Sequence, residues 1–241
     1  MLHYHGTPIT PISALESLRG RNFCVSFARP DQIETVKRIA QCVMYDNGAF
    51  SCWRTGKTIN WEKYYSFIEK HISLHNDWAV IPDVIDGDEK HNDYLLSQWP
   101  MSRNIGAPVW HLHESMFRLH NLAYAGYKRL CFGSSGKYRK IGSPEWMRRV
   151  ETAFNMLCPN GGQPPIAIHM LRGISMCGSA FPFSSADSTN IARNHKRQSA
   201  LGHNITDMAS DIDGINCPLT WGVTEKLDES FIGSVCVWDF V

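Results

Sequence analysis

Short apolar runs alternate with stretches of helical periodicity along most of this 241-residue chain. Seven runs have the character of strands, at 23–28, 43–50, 78–84, 107–113, 129–133, 166–171 and 181–187. Helices are expected between most of them, for example after the N-cap residue Asn60 and after Ser143-Pro144. Strand–helix alternation implies parallel strands joined by right-handed crossovers. The pattern therefore predicts an α/β fold.

Seven or eight such units favour a closed TIM-like (β/α)8 barrel, with or without an irregular last unit, over an open sheet. The chain length fits a single barrel, and the glycine fingerprint of a dinucleotide-binding sheet is absent. We predict one barrel domain over 1–241, with a lead-in at 1–22 and a less regular part at 195–241. The eighth strand is expected at 215–223 or at 234–240, and the sequence does not decide between them.

Hydrophobicity and cysteine spacing predict where in the cell the protein is located. A continuous run of about 18 apolar residues is missing, so no membrane span is expected. The first residues lack a basic region followed by an apolar stretch, so we expect no secretory signal. The eight cysteines are scattered and form no CxxC pair, which favours reduced thiols and a cytoplasmic location. The sequence leaves the oligomeric state open.

Three of the predicted strands end near an aspartate: Asp46, Asp83 and Asp187. The carboxyl ends of parallel strands meet at one mouth of a barrel, where the active sites of such barrels lie. Other residues expected at this mouth are Asn47, His111, His113, Gly133, Ser134 and Arg172. Because unpaired charges are costly to bury, convergent carboxylates indicate chemistry. Two carboxylates are the minimal equipment for cleaving a glycosidic bond with retention.

The net charge of +1 conceals two basic clusters. The first contains Lys137, Arg139 and Lys140, and the second contains Arg193, Lys196 and Arg197. Each cluster follows a predicted strand end, so both would border the same mouth. A basic surface beside a site predicts a polyanion such as a nucleic acid, while a solvated helix face is the simpler alternative.

Several segments, in order, resemble tRNA-guanine transglycosylases. These are Asp46-Asn-Gly-Ala-Phe-Ser51, Pro82-Asp83, Phe132-Gly-Ser-Ser-Gly136, Ile168-His-Met-Leu-Arg-Gly173 and Asp187-Ser-Thr-Asn190. The chain is much shorter than the tRNA enzymes and has no cysteine-rich zinc cluster after Asp187. It is therefore more similar to the phage-type DNA-guanine transglycosylases, which exchange guanine in DNA for a 7-deazaguanine base.

The resemblance implies a pentosyltransferase that modifies DNA and protects it from restriction nucleases. It implies that Asp187 is the nucleophile and Asp46 the general acid and base. The base would be held by Asp83, Asn47, His111, Gly133, Ser134 and Arg172, and the two basic clusters would hold phosphates. The expected partners are DNA and a free base such as 7-cyano-7-deazaguanine, which serves as co-substrate. Double displacement requires neither a metal nor an organic cofactor.

Two other functions are consistent with the sequence. A barrel metallohydrolase would use histidines and an aspartate as zinc ligands, and the candidates are His3, His5, His111, His113, His169 and Asp187. Against it, we expect His111 and His113 to point to different sides, one inward and one outward. The second alternative is a DNA-binding barrel without catalysis. Singly, each aspartate could also be a turn or cap residue.

Overall fold

The computed structural model describes residues 1–73, 76–176 and 178–222. Its strands form one parallel sheet. They are β1 (Leu2–Gly6), β2 (Asn22–Ser26), β3 (Cys42–Asp46), β4 (Trp78–Val80), β5 (Gly106–Ala107), β6 (Val109–His111), β7 (Arg129–Gly133), β8 (Ala167–Met170) and β9 (Ser185–Ser188). Their order in the sheet is β5-β4-β3-β2-β1-β9-β8-β7-β6.

The two ends of this order belong to one interrupted strand. β5 pairs with β4, β6 pairs with β7, and Pro108 alone separates β5 from β6. Proline has no N–H to donate to a strand ladder, but its carbonyl accepts a hydrogen bond from the backbone N–H of Cys131 at 2.9 Å. Counting β5 and β6 as one strand, the sheet closes into a barrel of eight positions. The predicted TIM-like α/β barrel is confirmed.

The strand that completes the barrel lies in the predicted lead-in. β1 pairs with β2 on one side and with β9 on the other, so the barrel closes through residues 2–6. The expectation of an eighth strand at 215–223 was wrong for the described residues 215–222, where the only pairing is an isolated bridge at Trp221. The alternative at 234–240 lies outside the described residues. The sequence pattern did not predict β1, because His3 and His5 interrupt its apolar residues.

The helices begin where the sequence supplies caps. Their bounds are α1 (Ile12–Glu16), α2 (Ile33–Ile39), α3 (Ala49–Thr55), α4 (Trp61–His71), α5 (Glu89–Ser97), α6 (Met116–Ala123), α7 (Pro144–Leu157), α8 (Asn190–Ala200) and α9 (Ile205–Asp213). Asn60 accepts a hydrogen bond from the backbone N–H of Lys63, and Ser143 accepts one from Trp146, as predicted caps should. Between β8 and β9 the described residues contain only a short 3₁₀ turn, Ile174–Met176.

Apolar side chains fill the barrel and the space beneath its helices. The interior contains Tyr4, Cys24, Cys42, Met44, Trp78, Val80, Ala107, Val109 and Cys131. Two larger clusters lie between the strands and the outer helices, one around Trp146 and Phe154 and the other around Val36 and Ile68. Because side chains alternate along a strand, Tyr4 faces the interior, whereas His3 and His5 face outward. None of the described helices is long and apolar enough to cross a membrane.

Several strands are shorter than predicted, and the difference shapes the mouth. β3 ends at Asp46, and α3 begins three residues later instead of a strand continuing to Phe50. β4 ends at Val80, so Asp83 lies in the loop that follows it. β9 starts at Ser185, after Pro182, which cannot donate to a ladder. The chain that follows the early ends of β3 and β4 is therefore available to line the mouth, whereas β9 is shortened at the opposite end of the barrel.

Candidate active site

A cavity at the carboxyl ends of the strands brings the predicted residues together. It contains about 460 Å³ of space free of protein atoms, part of which is open to solvent. The polar and small residues that line it are Asp46, Asn47, Asp83, His111, Gly133, Ser134, Arg172 and Asp187. The rest of the wall is Ala49, Phe50, Val80, Ile85 and Leu171. Every residue predicted for catalysis or base binding thus lies at one cavity, although the strands that carry them are far apart in sequence.

Asp187 is held in one orientation by contacts to a single oxygen. The backbone N–H of Arg172 donates to its Oδ1 over 2.7 Å, and Nε2 of His169 lies 3.2 Å from the same atom. His169 is fully buried, and its Nδ1 lies 2.8 Å from the hydroxyl of Ser185. Because both contacts use Oδ1, Oδ2 is the oxygen that a substrate in the cavity would meet.

The surroundings of Asp187 favour its ionised form. Burial opposes the charge, but the hydrogen bond and charge of His169 and the backbone N–H of Arg172 outweigh burial. The pKa of Asp187 therefore lies below its ordinary value. Asp187 is a carboxylate at neutral pH, as a nucleophile must be.

Asp46 is shifted in the opposite direction. Burial, together with the negative charges of Asp187 and Asp83, raises its pKa from 3.8 to about 6, against the hydrogen bonds it accepts. Those bonds reach Oδ2 from the hydroxyl of Ser26 at 2.7 Å and from the backbone N–H of Gly48 at 3.0 Å. A carboxyl group with a pKa near 6 can both give and take a proton at physiological pH. The cavity therefore pairs an ionised carboxylate with a proton-exchanging one.

Asp83 is engaged on both oxygens. Asn47 donates to Oδ1 over 2.7 Å, and Nε2 of His111 lies 2.8 Å from Oδ2. Asn47 also donates to the carbonyl of Ile81, which fixes the amide in this orientation. Each carboxylate oxygen has a second lone pair, so Asp83 keeps acceptor capacity on the cavity side. The three residues form a polar wall suited to the edge of a planar ligand.

Two glycines allow the backbone to come close to this wall. Gly48 has φ +80°, and a Cβ there would lie 3.1 Å from the backbone nitrogen of Ala28. Its N–H can therefore reach Asp46. At Gly133, a Cβ would lie 2.7 Å from Nδ1 of His111. Glycine at these positions is required by the backbone conformation in one case and by close approach in the other.

Arg172 is the most strained residue of the cavity. It is the only non-glycine residue with positive φ (+56°) in the described part of the chain. Its guanidinium lies 3.9 Å from the centre of the Phe50 ring, although the side chain as a whole is exposed to solvent. A left-handed conformation costs about 1–2 kcal/mol outside glycine, and here it directs the backbone N–H at Asp187 and the guanidinium across the mouth.

A buried network outside the cavity supports the polar wall. Glu114 accepts hydrogen bonds from the backbone N–H of His111 at 2.8 Å, from Asn92 at 2.8 Å and from Arg118 at 2.6 Å. The side chain of Glu114 is completely buried. Asn92 in turn binds both backbone groups of Val84, beside Asp83. The network therefore fixes the loop of Asp83 and the end of β6 together.

The sequence did not identify all of the residues that hold the site. Ser26 did not stand out in the sequence, because its contact with Asp46 depends on the register in which β2 pairs with β3. Phe50 follows Asp46 by four residues in a predicted site segment. His169 was considered only as a metal ligand, and its contact with Asp187 depends on the pairing of β8 with β9. Glu114 gave no signal, because its partners come from three separate elements.

The residues of the two predicted basic clusters do not line the cavity. Lys137, Arg139 and Lys140 belong to the segment after β7, on the same side of the barrel as the cavity, and they are exposed. Arg193, Lys196 and Arg197 are exposed on α8. α8 begins at Asn190, close to the mouth, and descends along the barrel by about 1.5 Å per residue. Arg193 is thus the residue of this cluster closest to the mouth.

The histidines of the metal-site alternative are dispersed. Among the described residues, no group of three or more His, Cys, Asp or Glu side chains is arranged to hold a metal ion. His3 and His5 face outward beneath α8 and α9, where Nε2 of His5 lies 3.1 Å from Asp213. The expected separation of His111 from His113 was wrong: their rings stack with centres 5.8 Å apart. Residues two apart on a strand point to the same face, so the strand period itself brings the two rings together.

Comparisons with models of protein families, with functionally characterised proteins and with solved structures give no match for this chain.

Proposed function

We propose that the protein exchanges guanine in DNA for a 7-deazaguanine base by double displacement. One observation carries the proposal: Asp46 and Asp187 share a cavity, and their pKa values are displaced in opposite directions, to about 6 for Asp46 and below the ordinary value for Asp187. Two carboxyl groups with such divided roles are what retaining chemistry at a sugar carbon requires. The choice of guanine as the base and of DNA as the acceptor rests on the ordered segments that resemble guanine transglycosylases.

In the first half-reaction, the target guanine leaves the helix stack and enters the cavity. Oδ2 of Asp187 attacks the anomeric carbon of the deoxyribose and forms a covalent ester-type bond. The bond between that carbon and the guanine nitrogen breaks, and its electron pair takes the proton of Asp46. Guanine departs neutral, and Asp46 is left as a carboxylate.

In the second half-reaction, a 7-deazaguanine such as 7-cyano-7-deazaguanine occupies the vacated place. Asp46 removes the proton from its ring nitrogen, and that nitrogen attacks the anomeric carbon and displaces Asp187. Asp83, aligned by Asn47 and His111, would accept hydrogen bonds from the amidine edge that both bases share. No metal or organic cofactor is needed in this scheme.

DNA is the proposed partner because two exposed basic clusters follow strands whose carboxyl ends form the mouth. Lys137, Arg139 and Lys140, together with Arg193, Lys196 and Arg197, would contact phosphates, and such contacts weaken with added salt. The biological role that follows is the modification of phage DNA, within the cytoplasm of the infected bacterium, against restriction nucleases.

The direct test is to incubate the protein with DNA and candidate 7-deazaguanine bases and to analyse the nucleosides by mass spectrometry. We expect the modified deoxynucleoside with the parent protein and none with Asp187→Asn. Asp211→Asn, which changes an exposed aspartate of α9, serves as the matched control and should retain activity. Asp187→Asn should still bind DNA, because an amide keeps the shape of the side chain.

A covalent protein–DNA adduct, trapped by denaturing an early time point, is the second expected result. Full activity of Asp187→Asn would reject the assignment of the nucleophile. DNA binding without exchange and without an adduct, with every candidate base, would favour the barrel that binds DNA without catalysis.

A further inference from the structure

The segment between β3 and α4, residues 47–60, differs from the rest of the mouth. It contains the extra helix α3 (Ala49–Thr55), and it has no acidic residue. Arg54 and Lys57 give it two positive charges, and both side chains are exposed. We call residues 47–60 the α3 segment. It forms one rim of the cavity, because Asn47, Ala49 and Phe50 belong to the cavity wall.

Three planar groups lead from the cavity to the outer surface along this rim. The guanidinium of Arg172 lies 3.9 Å from the centre of the Phe50 ring. Phe50 in turn stacks on Trp53, with 5.8 Å between the ring centres and 29° between the ring planes. Phe50 lines the cavity, whereas Trp53 is 46% exposed. A stack that begins at the cavity therefore ends with a tryptophan open to solvent.

The orientation of Trp53 is fixed although the side chain is exposed. Its Nε1 donates to Oδ2 of Asp86 over 2.6 Å, and Asp86 lies in the same loop as the cavity residues Asp83 and Ile85. The ring thus bridges two loops of the mouth and uses its one polar group in doing so. Part of the ring surface remains exposed to solvent, and Arg54 and Lys57 are exposed in the same segment.

We propose that the α3 segment holds the nucleotide next to the target, with its base stacked on Trp53 and its phosphates near Arg54 and Lys57. Proteins that hold single-stranded nucleic acid combine aromatic platforms with a cationic groove in this way. A protein partner would be recognised mainly by a larger apolar area, whereas here a single exposed tryptophan shares its segment with two exposed cations. The identity of the strand as DNA rests on the proposed function, but the stacking does not require base exchange.

The experiment measures binding of a labelled single-stranded DNA oligonucleotide without any deazaguanine, so that no turnover contributes. Trp53→Ala should weaken binding by about 5- to 150-fold, which corresponds to the loss of one base–aromatic stack. Trp53→Phe should keep most of the affinity. Tyr124→Ala, which removes a similarly exposed aromatic side chain at the far end of α6, is the matched control and should bind like the parent.

A second oligonucleotide distinguishes stacking from a structural effect. It carries an abasic site at the nucleotide beside the target guanine, with the side varied between 5′ and 3′. On one side, the abasic site should remove the difference between the parent and Trp53→Ala, because the stack is already lost. Arg54→Ala and Lys57→Ala should each reduce the dependence of log K on log salt by about 0.7.

Equal affinity of the parent and Trp53→Ala would overturn the proposal, as would a Trp53 effect that persists unchanged on both abasic oligonucleotides. Circular dichroism of each variant shows whether the fold is intact, and Trp53→Phe covers the case in which the alanine variant does not fold. If the protein exchanges bases but the parent and Trp53→Ala bind DNA equally well, only this inference is rejected. Trp53-dependent binding without exchange would reject the proposed function alone.

Discussion

Replacing Asp46 with asparagine should stabilise the fold at neutral pH while it stops base exchange. The amide can keep an oxygen where Oδ2 now accepts hydrogen bonds from Ser26 and Gly48. What it removes is a negative charge in a buried site beside two other carboxylates, and burial is the main reason that the pKa of Asp46 is raised. The catalytic loss follows because an amide cannot supply a proton to the leaving base.

The size of the effect follows from the pKa change. In the unfolded chain Asp46 has the ordinary pKa of 3.8, and in the folded protein the pKa is about 6. At 1.36 kcal/mol per pKa unit, the ionised group costs the fold about 3 kcal/mol above pH 7. The folded pKa is the higher one, so the stability linked to protonated Asp46 is complete below pH 3.8 and is lost as the pH rises through 6.

The measurement is the free energy of unfolding in urea at about pH 8 and again at about pH 4.5. Asp46→Asn should be more stable than the parent by about 1–3 kcal/mol at the higher pH, and most of that advantage should disappear at the lower pH. Asp211→Asn, the exposed control, should show little difference at either pH. Comparing each variant with the parent at the same pH cancels the titration of the other groups.

A parent that is equally stable or more stable than Asp46→Asn at pH 8 would refute this reasoning. Asp46 would then be a turn residue whose hydrogen bonds outweigh its charge, and its assignment as the general acid would lose its physical basis. The same experiment thus tests the local electrostatics and one half of the proposed mechanism.

Three further changes test the packing and charges around the barrel. Gly133→Ala would place a Cβ 2.7 Å from Nδ1 of His111, so we expect about 1–3 kcal/mol less stability in urea; Gly222→Ala, whose added Cβ meets no described residue within 4 Å, should be neutral. Burial, the largest cause, lowers the pKa of His3 from 6.5 to about 3, so folding loses stability as the pH falls below 6.5. Between pH 7 and pH 5, the free energy of unfolding of His3→Gln in urea should therefore fall by about 2 kcal/mol less than that of the parent. An equal fall in both proteins would contradict burial of His3 as the cause. Glu114→Gln should lower stability by about 3 kcal/mol, because its buried arginine partner then lacks a full counter-charge; an unchanged thermal midpoint would disprove that dependence.

Much of the mouth could be predicted before the fold was known. Asp46, Asp83 and Asp187 follow apolar runs, and parallel strands place their carboxyl ends on one side by geometry alone. The lining residues between them were predictable for the same reason. Strand ends were less accurate, because the strands stop as soon as the backbone hydrogen bonds to their neighbours run out, and the apolar character of Phe50 or Phe181 continues beyond that point.

The sequence by itself determined the barrel class and which side chains meet at its mouth, because both follow from the alternation of local periodicities. Only the tertiary structure decided how those side chains are charged. The contact of His169 with Asp187 and the placing of Ser26 and Gly48 around Asp46 depend on strand register. The tertiary structure also decided that Leu2–Gly6 closes the barrel. Its outward-facing residues His3 and His5 are buried there because α8 and α9 cover them. A pKa depends on burial and on neighbours distant in sequence, and neither is present in a linear pattern.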